Sequence, residues 1–187
     1  ANNTSECTFN VIVSDDEDPE ITCPDVAVEV PNDAGLCEAT VNLDGSATAT
    51  DNCDLDVEIT YDPASGVFPV GTTIVTATAT DDSGNTAECT FNVTVTDIEP
   101  PVPTCPGNLT IGSNPAGECS AIANFNVTAT DNCGASVTYS PQDPGTAFPV
   151  GETTVTATAT DAAGNTAICS FTVTITDSED PVIDCPA

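Results

Sequence analysis

Apolar and polar residues alternate with a period of two along much of this chain, and no stretch shows the longer period of a helix, so the predicted elements are strands. From Thr73 to Thr80, Val75, Ala77 and Ala79 fall on one face, and Thr76, Thr78 and Thr80 on the other. From Thr86 to Thr96 the inward set is Ala87, Cys89, Phe91, Val93 and Val95. Between the two lies DDSGN, whose Gly and Asn supply a tight turn, so the strands form a hairpin. Shorter strands are expected around Val26 to Val30, Cys37 to Leu43 and Val57 to Tyr61. The outward positions are rich in Thr, which suits a pleated, solvated face without adding charge.

The pattern then repeats. Residues 68–97 read FPVGTTIVTATATDDSGNTAECTFNVTVTD and residues 148–177 read FPVGETTVTATATDAAGNTAICSFTVTITD, identical at 22 of 30 positions with an offset of 148 − 68 = 80. The cysteines follow the same ruler: 105 − 23 = 82, 119 − 37 = 82, 133 − 53 = 80 and 169 − 89 = 80. Two whole modules are predicted, residues 16–98 and 99–180. Residues 1–15 match the last strand of a preceding module, and residues 181–187 open a following one. Six or seven short strands in about 80 residues predict a small β-sandwich. With six Phe, two Tyr and no Trp or Met in the chain, its core is built from small residues, and disulfides or a metal are expected to supplement it.

Charge narrows the function. The 187 residues include 30 Asp and Glu and no Lys, Arg or His, a formal charge of −30. Without cations the chain offers nothing to the phosphates of a nucleic acid, and anionic membranes repel it. Without His or Lys, most general-base and nucleophile constellations cannot be assembled, so no enzyme is expected. Self-repulsion of this size calls for cations among the acids, and a divalent ion is expected. Ten cysteines read as disulfides, hence as an exported protein. No apolar run reaches membrane-spanning length.

Five motifs recur in fixed order: P-x-x-x-C-P, G-x-C-x-A, A-T-D-N-C, F-P-V-G-x-T and A-T-D-x-x-G-N-T-A-x-C-x-F-x-V. Together they resemble the hyalin repeat (HYR) family over essentially the whole chain. The resemblance implies all-β, tandem immunoglobulin-like or fibronectin III-like sandwich modules, stapled by disulfides and found in extracellular adhesive proteins. It also implies that Cys23 pairs with Cys89, because similar animal modules often keep only these two cysteines. On that scheme Cys37 pairs with Cys53, and the second module repeats the arrangement as Cys105 with Cys169 and Cys119 with Cys133. A straight strand from Cys37 to Leu43 carries the chain away, so Cys53 must fold back for its bond to close. The alternative pairs Cys53 with Cys89 and leaves Cys37 near the next module's entry cysteine.

Three junctions share one acid spacing: Asp15-x-Glu17-x-Pro19, Asp97-x-Glu99-x-Pro101 and Asp177-x-Glu179-x-Pro181. In a sandwich of this topology the linker enters beside the TDNC loop and the hairpin turn. Asp51, Asn52, Asp81 and Asn85 are therefore expected near Asp15 and Glu17, and Asp131, Asn132, Asp161 and Asn165 near Asp97 and Glu99. Hard oxygens from several loops, with no His or thiolate among them, suit Ca²⁺ better than zinc. The ion would remove the repulsion and fix the joint, while Pro100, Pro101 and Pro103 stiffen the strap. The same Asp and Asn also suit turns in their own right, by bonding their own backbone. Phe68 and Phe148, in FPVG, are expected to plug the sandwich edge rather than meet a ligand.

The expected function is a non-enzymatic stalk segment of an extracellular, cell-surface adhesin or filament, with neighbouring modules of the same chain as its first partners. The lack of Lys and Arg and the near identity of the modules point to a bacterial array. Two other readings stay open: modules that themselves bind a glycan or a surface receptor through Thr-rich faces, and filament subunits that assemble by strand exchange.

Overall fold

A computed structural model describes residues 3–112, 118–181 and 183–184. By packing, the chain divides into two compact units, one of Ala1–Val30 with Glu38–Val95 and the other of Pro31–Cys37 with Thr96–Ala187. Every element among the described residues is a strand.

The first unit is built on β1 (Glu20–Thr22), β2 (Val28–Pro31), β3 (Glu38–Val41), β4 (Thr48–Thr50), β5 (Glu58–Asp62), β6 (Gly66–Pro69), β7 (Gly71–Thr80) and β8 (Thr86–Thr96). One sheet runs β2-β8-β7-β5, a second is the pair β3-β6, and β1 pairs with β4. The β7–β8 hairpin closes with Thr80 opposite Thr86, as the alternation predicts. Its turn is sealed by the Asp81 amide donating to the Asn85 carbonyl at 3.1 Å, and Gly84 takes φ +90°, which an L side chain resists.

The second unit repeats this plan with β9 (Val102–Thr104), β10 (Leu109–Gly112), β11 (Ser120–Ala123), β12 (Thr128–Thr130), β13 (Ala135–Ser140), β14 (Thr146–Pro149), β15 (Gly151–Asp161) and β16 (Thr166–Thr176). The larger sheet is β10-β16-β15-β13, with β10 parallel to β16 and the other pairs antiparallel. β11 pairs with β14, and β12 with β9. Each unit is thus an all-β sandwich of the immunoglobulin-like kind, with paired sheets enclosing one core.

Each core lies between sheets. In the first unit Ala39, Val41 and Phe68 from the small sheet pack with Val75, Ala77, Phe91, Val93 and Val95 from the large one. In the second, Ala121, Ala123 and Phe148 meet Val155, Ala157, Phe171, Val173 and Ile175. Alanines at alternate positions of β7 and β15 leave room for the few aromatic rings. Phe125, for example, lies edge-on to Tyr139, Phe148 and Phe171 at centroid distances of 5.6, 6.0 and 4.9 Å.

Phe68 and Phe148 are buried plugs, 1% and 0% exposed. The FPVG segment is a strand as well as a turn: Phe68 sits opposite Ala39 and Phe148 opposite Ala121. A Phe148→Ala substitution leaves a cavity beside Phe125 and is expected to destabilise the second unit by about 3–5 kcal/mol. Calorimetric unfolding of the variant checks this, and an unchanged midpoint would return Phe148 to the role of a surface contact.

Residues 3–19 form no strand, although residues 1–15 have the pattern of one. Phe9, Val11, Ile12 and Val13 are 83, 75, 89 and 90% exposed. A last strand needs neighbours for both its backbone ladder and its apolar face, and no described strand pairs with this one. Of the segment 181–187, Val182 and residues 185–187 lie outside the described residues.

Candidate metal centre

The acidic residues of each unit converge where the entry strap meets two turns. In the second unit Asp97 comes from the strap after β8, Asp131 from the TDNC turn after β12, and Asp161 from the end of β15. One carboxylate oxygen from each lies within 4.8 Å of the others. Asp97 is 3% exposed and Asp161 8%.

Local hydrogen bonds aim these groups. Asp161 Oδ1 accepts from the Gly164 and Asn165 amides at 2.7 and 2.9 Å, and its Oδ2 from Asn165 Nδ2 at 2.8 Å. Burial alone would push the Asp161 carboxyl up, but hydrogen bonds from the Asn165 side chain and from turn amides hold it below its ordinary value. Asp131 Oδ1 caps its own turn by accepting from the Cys133 amide at 2.8 Å, and Asp97 Oδ1 accepts from the Glu99 amide at 3.2 Å. In both residues Oδ2 is buried and has no hydrogen-bond partner.

The first unit repeats the cluster with Asp15, Asp51 and Asp81, again with oxygens within 4.8 Å of one another. Asp81 Oδ1 accepts from the Ser83 and Asn85 amides at 2.9 and 2.8 Å, and its Oδ2 from Asn85 Nδ2 at 2.7 Å. As at Asp161, burial raises the carboxyl and these bonds, the Asn85 side chain foremost, bring it below its usual value. Asp51 Oδ1 accepts from the Cys53 and Asp54 amides at 2.8 and 2.9 Å.

The remaining residues of the expected sets take other parts. Glu17 and Glu99 stand outside the carboxylate clusters. Glu99 Oε2 instead accepts from the Gly35 amide at 2.8 Å and from Asn32 Nδ2 at 3.2 Å, while Glu17 accepts from Asn52 Nδ2. Asn165 Nδ2 also reaches the Asp97 carbonyl at 3.1 Å, and Asn85 Nδ2 the Asp15 carbonyl at 3.5 Å, so each Asn ties its turn to its strap. Asn132 Nδ2 donates to the Leu36 carbonyl at 2.9 Å and to Asp97 Oδ1 at 3.4 Å.

Asn32 escaped the sequence reading. It is 7% exposed, and its Oδ1 accepts from the Ile98 amide at 3.1 Å while its backbone amide donates to the Thr96 carbonyl at 2.9 Å. These bonds fasten residues 31–37 into the second unit. The only local signal was a Gly- and Asn-containing loop, NDAGLC, ending in cysteine.

The disulfides differ from the expected scheme. Cys23–Cys89 and Cys105–Cys169 are bonded, with Cα atoms 5.9 Å apart in each. Cys37 bonds Cys133, not Cys53, and Cys119 does not bond Cys133. The reason is the seating of residues 31–37: Glu99, Asn132 and Asn32 carry Cys37 to the TDNC turn of the second unit, with a Cα separation of 4.9 Å. Cys7, Cys53 and Cys119 are exposed free thiols. The Cys53 thiol is pushed up, first by local desolvation of the sulfur and then by Asp15, Asp51, Glu17 and Asp81, whose charges oppose a thiolate.

Fold, disulfides and paired carboxylate clusters together define a tandem β-sandwich protein of the extracellular space or cell surface. Comparison with known sequences narrows the class. The chain belongs to the HYR domain family, whose model matches residues 14–95 and 96–175.

Hyalin of Lytechinus variegatus is 35% identical over 193 residues, covering 98% of this chain and 36% of that protein. Hyalin of Strongylocentrotus purpuratus is 39% identical over 184 residues, covering 93% and 15%. Sushi, von Willebrand factor type A, EGF and pentraxin domain-containing protein 1 of Rattus norvegicus is 36% identical over 177 residues, covering 89% and 5%. The chain therefore spans 36% or less of the length of these relatives. They are animal proteins and give no support to the bacterial array suggested by composition. Among solved structures, the fibronectin(III)-like modules of Clostridium thermocellum CbhA align over 89% of this chain and 100% of theirs, at 14% identity and a TM-score of 0.33.

Proposed function

We propose that the chain is a non-enzymatic structural segment of an extracellular adhesive protein, stapled by disulfides and stiffened by Ca²⁺ at the entry to each module. The observation that carries the calcium reading is the pair of buried, unpartnered oxygens, Asp97 Oδ2 and Asp131 Oδ2, beside Asp161 in a chain without Lys, Arg or His. A buried carboxylate oxygen without a donor is costly, and two beside a third acid repel one another. A cation among them removes both penalties.

The chemistry of the donors favours calcium. All are hard oxygens, and bonds of about 2.4 Å let one Ca²⁺ reach oxygens as far apart as about 4.8 Å. Thiolate and imidazole, which would favour zinc, are missing from both clusters. Asp97, Asp131 and Asp161 would hold one ion, and Asp15, Asp51 and Asp81 another. The first ion would tie the strap carrying Pro100, Pro101 and Pro103 to the turns of its own unit, so that an extended array resists bending at these points.

The adhesive role is what membership of the hyalin repeat family implies for a chain matched by its model over residues 14–95 and 96–175. The absence of His and Lys supports the non-enzymatic reading. Scanning calorimetry in Ca²⁺, in Mg²⁺ and in EDTA at physiological salt tests the proposal. With free Ca²⁺ about a hundredfold above Kd, stabilisation of about 2.7 kcal/mol is expected, with Mg²⁺ giving less. Equal midpoints in Ca²⁺ and EDTA would defeat it.

A further inference from the structure

We infer that Cys53 and Cys119 are the two open halves of a disulfide that joins one HYR module to the next, each bonding a cysteine of a further copy of the module. The inference extends beyond the calcium reading and does not rest on it.

The Cys37–Cys133 bond supplies the template. By sequence Cys37 lies in the first family match and Cys133 in the second. In the register of the repeat Cys119 is the counterpart of Cys37 (37 + 82 = 119), and Cys53 the counterpart of Cys133 (133 − 80 = 53). The observed bond therefore links the G-x-C cysteine of one repeat to the TDNC cysteine of the following one. Applied once more in each direction, the same rule leaves open Cys119 and Cys53, and both are exposed free thiols.

The seat of the loop repeats as well as the sulfur positions. In the second unit a groove lined by Glu99, Thr130, Asp131 and Asn132 also has Gly35 in its wall. There Glu99 receives the Gly35 amide, and Asn132 Nδ2 donates to the Leu36 carbonyl. In the first unit the counterpart groove is lined by Glu17, Thr50, Asp51 and Asn52, with no loop glycine in its wall. The Cys53 turn is already formed, since the Cys53 amide donates to Asp51 Oδ1 at 2.8 Å, the same distance as from Cys133 to Asp131. Glu17 and Asn52, lacking a loop to hold, bond each other. The occupant that fits is a loop of the NDAGLC kind from another module. Residues 114–119, NPAGEC, carry the same Asn, Ala, Gly and Cys positions by sequence.

Bond formation requires an oxidant, for which oxidised glutathione serves. One thiolate attacks a sulfur of the glutathione disulfide and expels one glutathione thiolate. The second cysteine, as thiolate, then attacks the mixed disulfide and expels another. Two cysteine thiols thus lose two electrons and two protons, and one glutathione disulfide is reduced to two thiols.

The test joins two copies of the chain in repeat register, residues 1–176 followed directly by residues 15–187, so that Asp15 of the second copy takes the place of Asp177. Cys7 and Cys53 of the first copy and Cys119 and Cys185 of the second are replaced by Ser. One candidate pair remains, Cys119 of the first copy with Cys53 of the second, whose peptides differ in mass. After refolding in a glutathione buffer, free thiols are alkylated and the protein is digested at acidic residues without reduction. Mass spectrometry should find a Cys119–Cys53 peptide pair and loss of Cys119 alkylation relative to the single chain. The Cys37–Cys133 peptide in the same digest is the internal control. Full alkylation of Cys119 beside an intact Cys37–Cys133 bond overturns the inference. So does pairing of Cys37 with Cys53 or of Cys119 with Cys133, and so does failure of the Cys37–Cys133 bond itself to form.

Discussion

Replacing Cys105 and Cys169 together by Ser should lower the stability of the second unit by about 4 kcal/mol, and its thermal midpoint by roughly 15–30 °C. The bond spans a sequence separation of 64 residues, long enough for the unfolded chain to recover a large loop entropy once it is cut. It also packs against the core, where Cys105 and Cys169 lie beside a cluster that includes Ala121, Ala123 and Ala157. A core of such small residues has little apolar area in reserve, so the staple represents a large share of the net stability. Cys119→Ser offers the contrast: an exposed free thiol contributes no loop constraint, and its replacement should stay within about 0.5 kcal/mol of the parent. Calorimetry of the three proteins decides the matter. A double variant that melts with the parent would mean that burial alone holds the sandwich.

The long elements were legible because their period is unmistakable. In β8 and β16 every second residue is apolar over all eleven positions, in β7 and β15 the same alternation runs from Val75 to Ala79 and from Val155 to Ala159, and burial follows it. The three-residue strands β1, β4, β9 and β12 are too short to show a period, and β6 and β14 hide behind the turn signals of Pro and Gly in FPVG.

At the site, the short side chains followed the sequence. Asp51 and Asp81, and their counterparts Asp131 and Asp161, sit at the end of a strand or in its turn, where backbone geometry decides position, and the straps leading to β1 and β9 bring Asp15 and Asp97 to them. The longer Glu17 and Glu99 do not join them, since a glutamate can reach past its neighbours, and Glu99 reaches Gly35. Cys37 was misread for a related reason. The family resemblance, by pairing Cys23 with Cys89, leaves Cys53 as the partner within the module, whereas the loop is placed by Asn32 and Glu99, residues 67 apart in sequence. Such a contact leaves no periodic trace.

The calcium claim turns on Asp97. Asp97→Asn keeps an oxygen for the Glu99 amide but removes the charge beside Asp131 and Asp161. Without calcium the variant should be at least as stable as the parent, because a repulsion has been removed. With free Ca²⁺ a hundredfold above the parent's Kd, the second unit should lose the stabilisation of about 2.7 kcal/mol that binding confers, so the order of stability reverses. A residue that merely shaped the strap would give the same sign in both conditions.

The most direct measurement is equilibrium dialysis of the full chain against Ca²⁺ at physiological salt, for the parent and for Asp97→Asn. Two clusters predict two saturable ions per parent chain and one per variant chain. No saturable binding by the parent, or two sites surviving in the variant, would contradict the account.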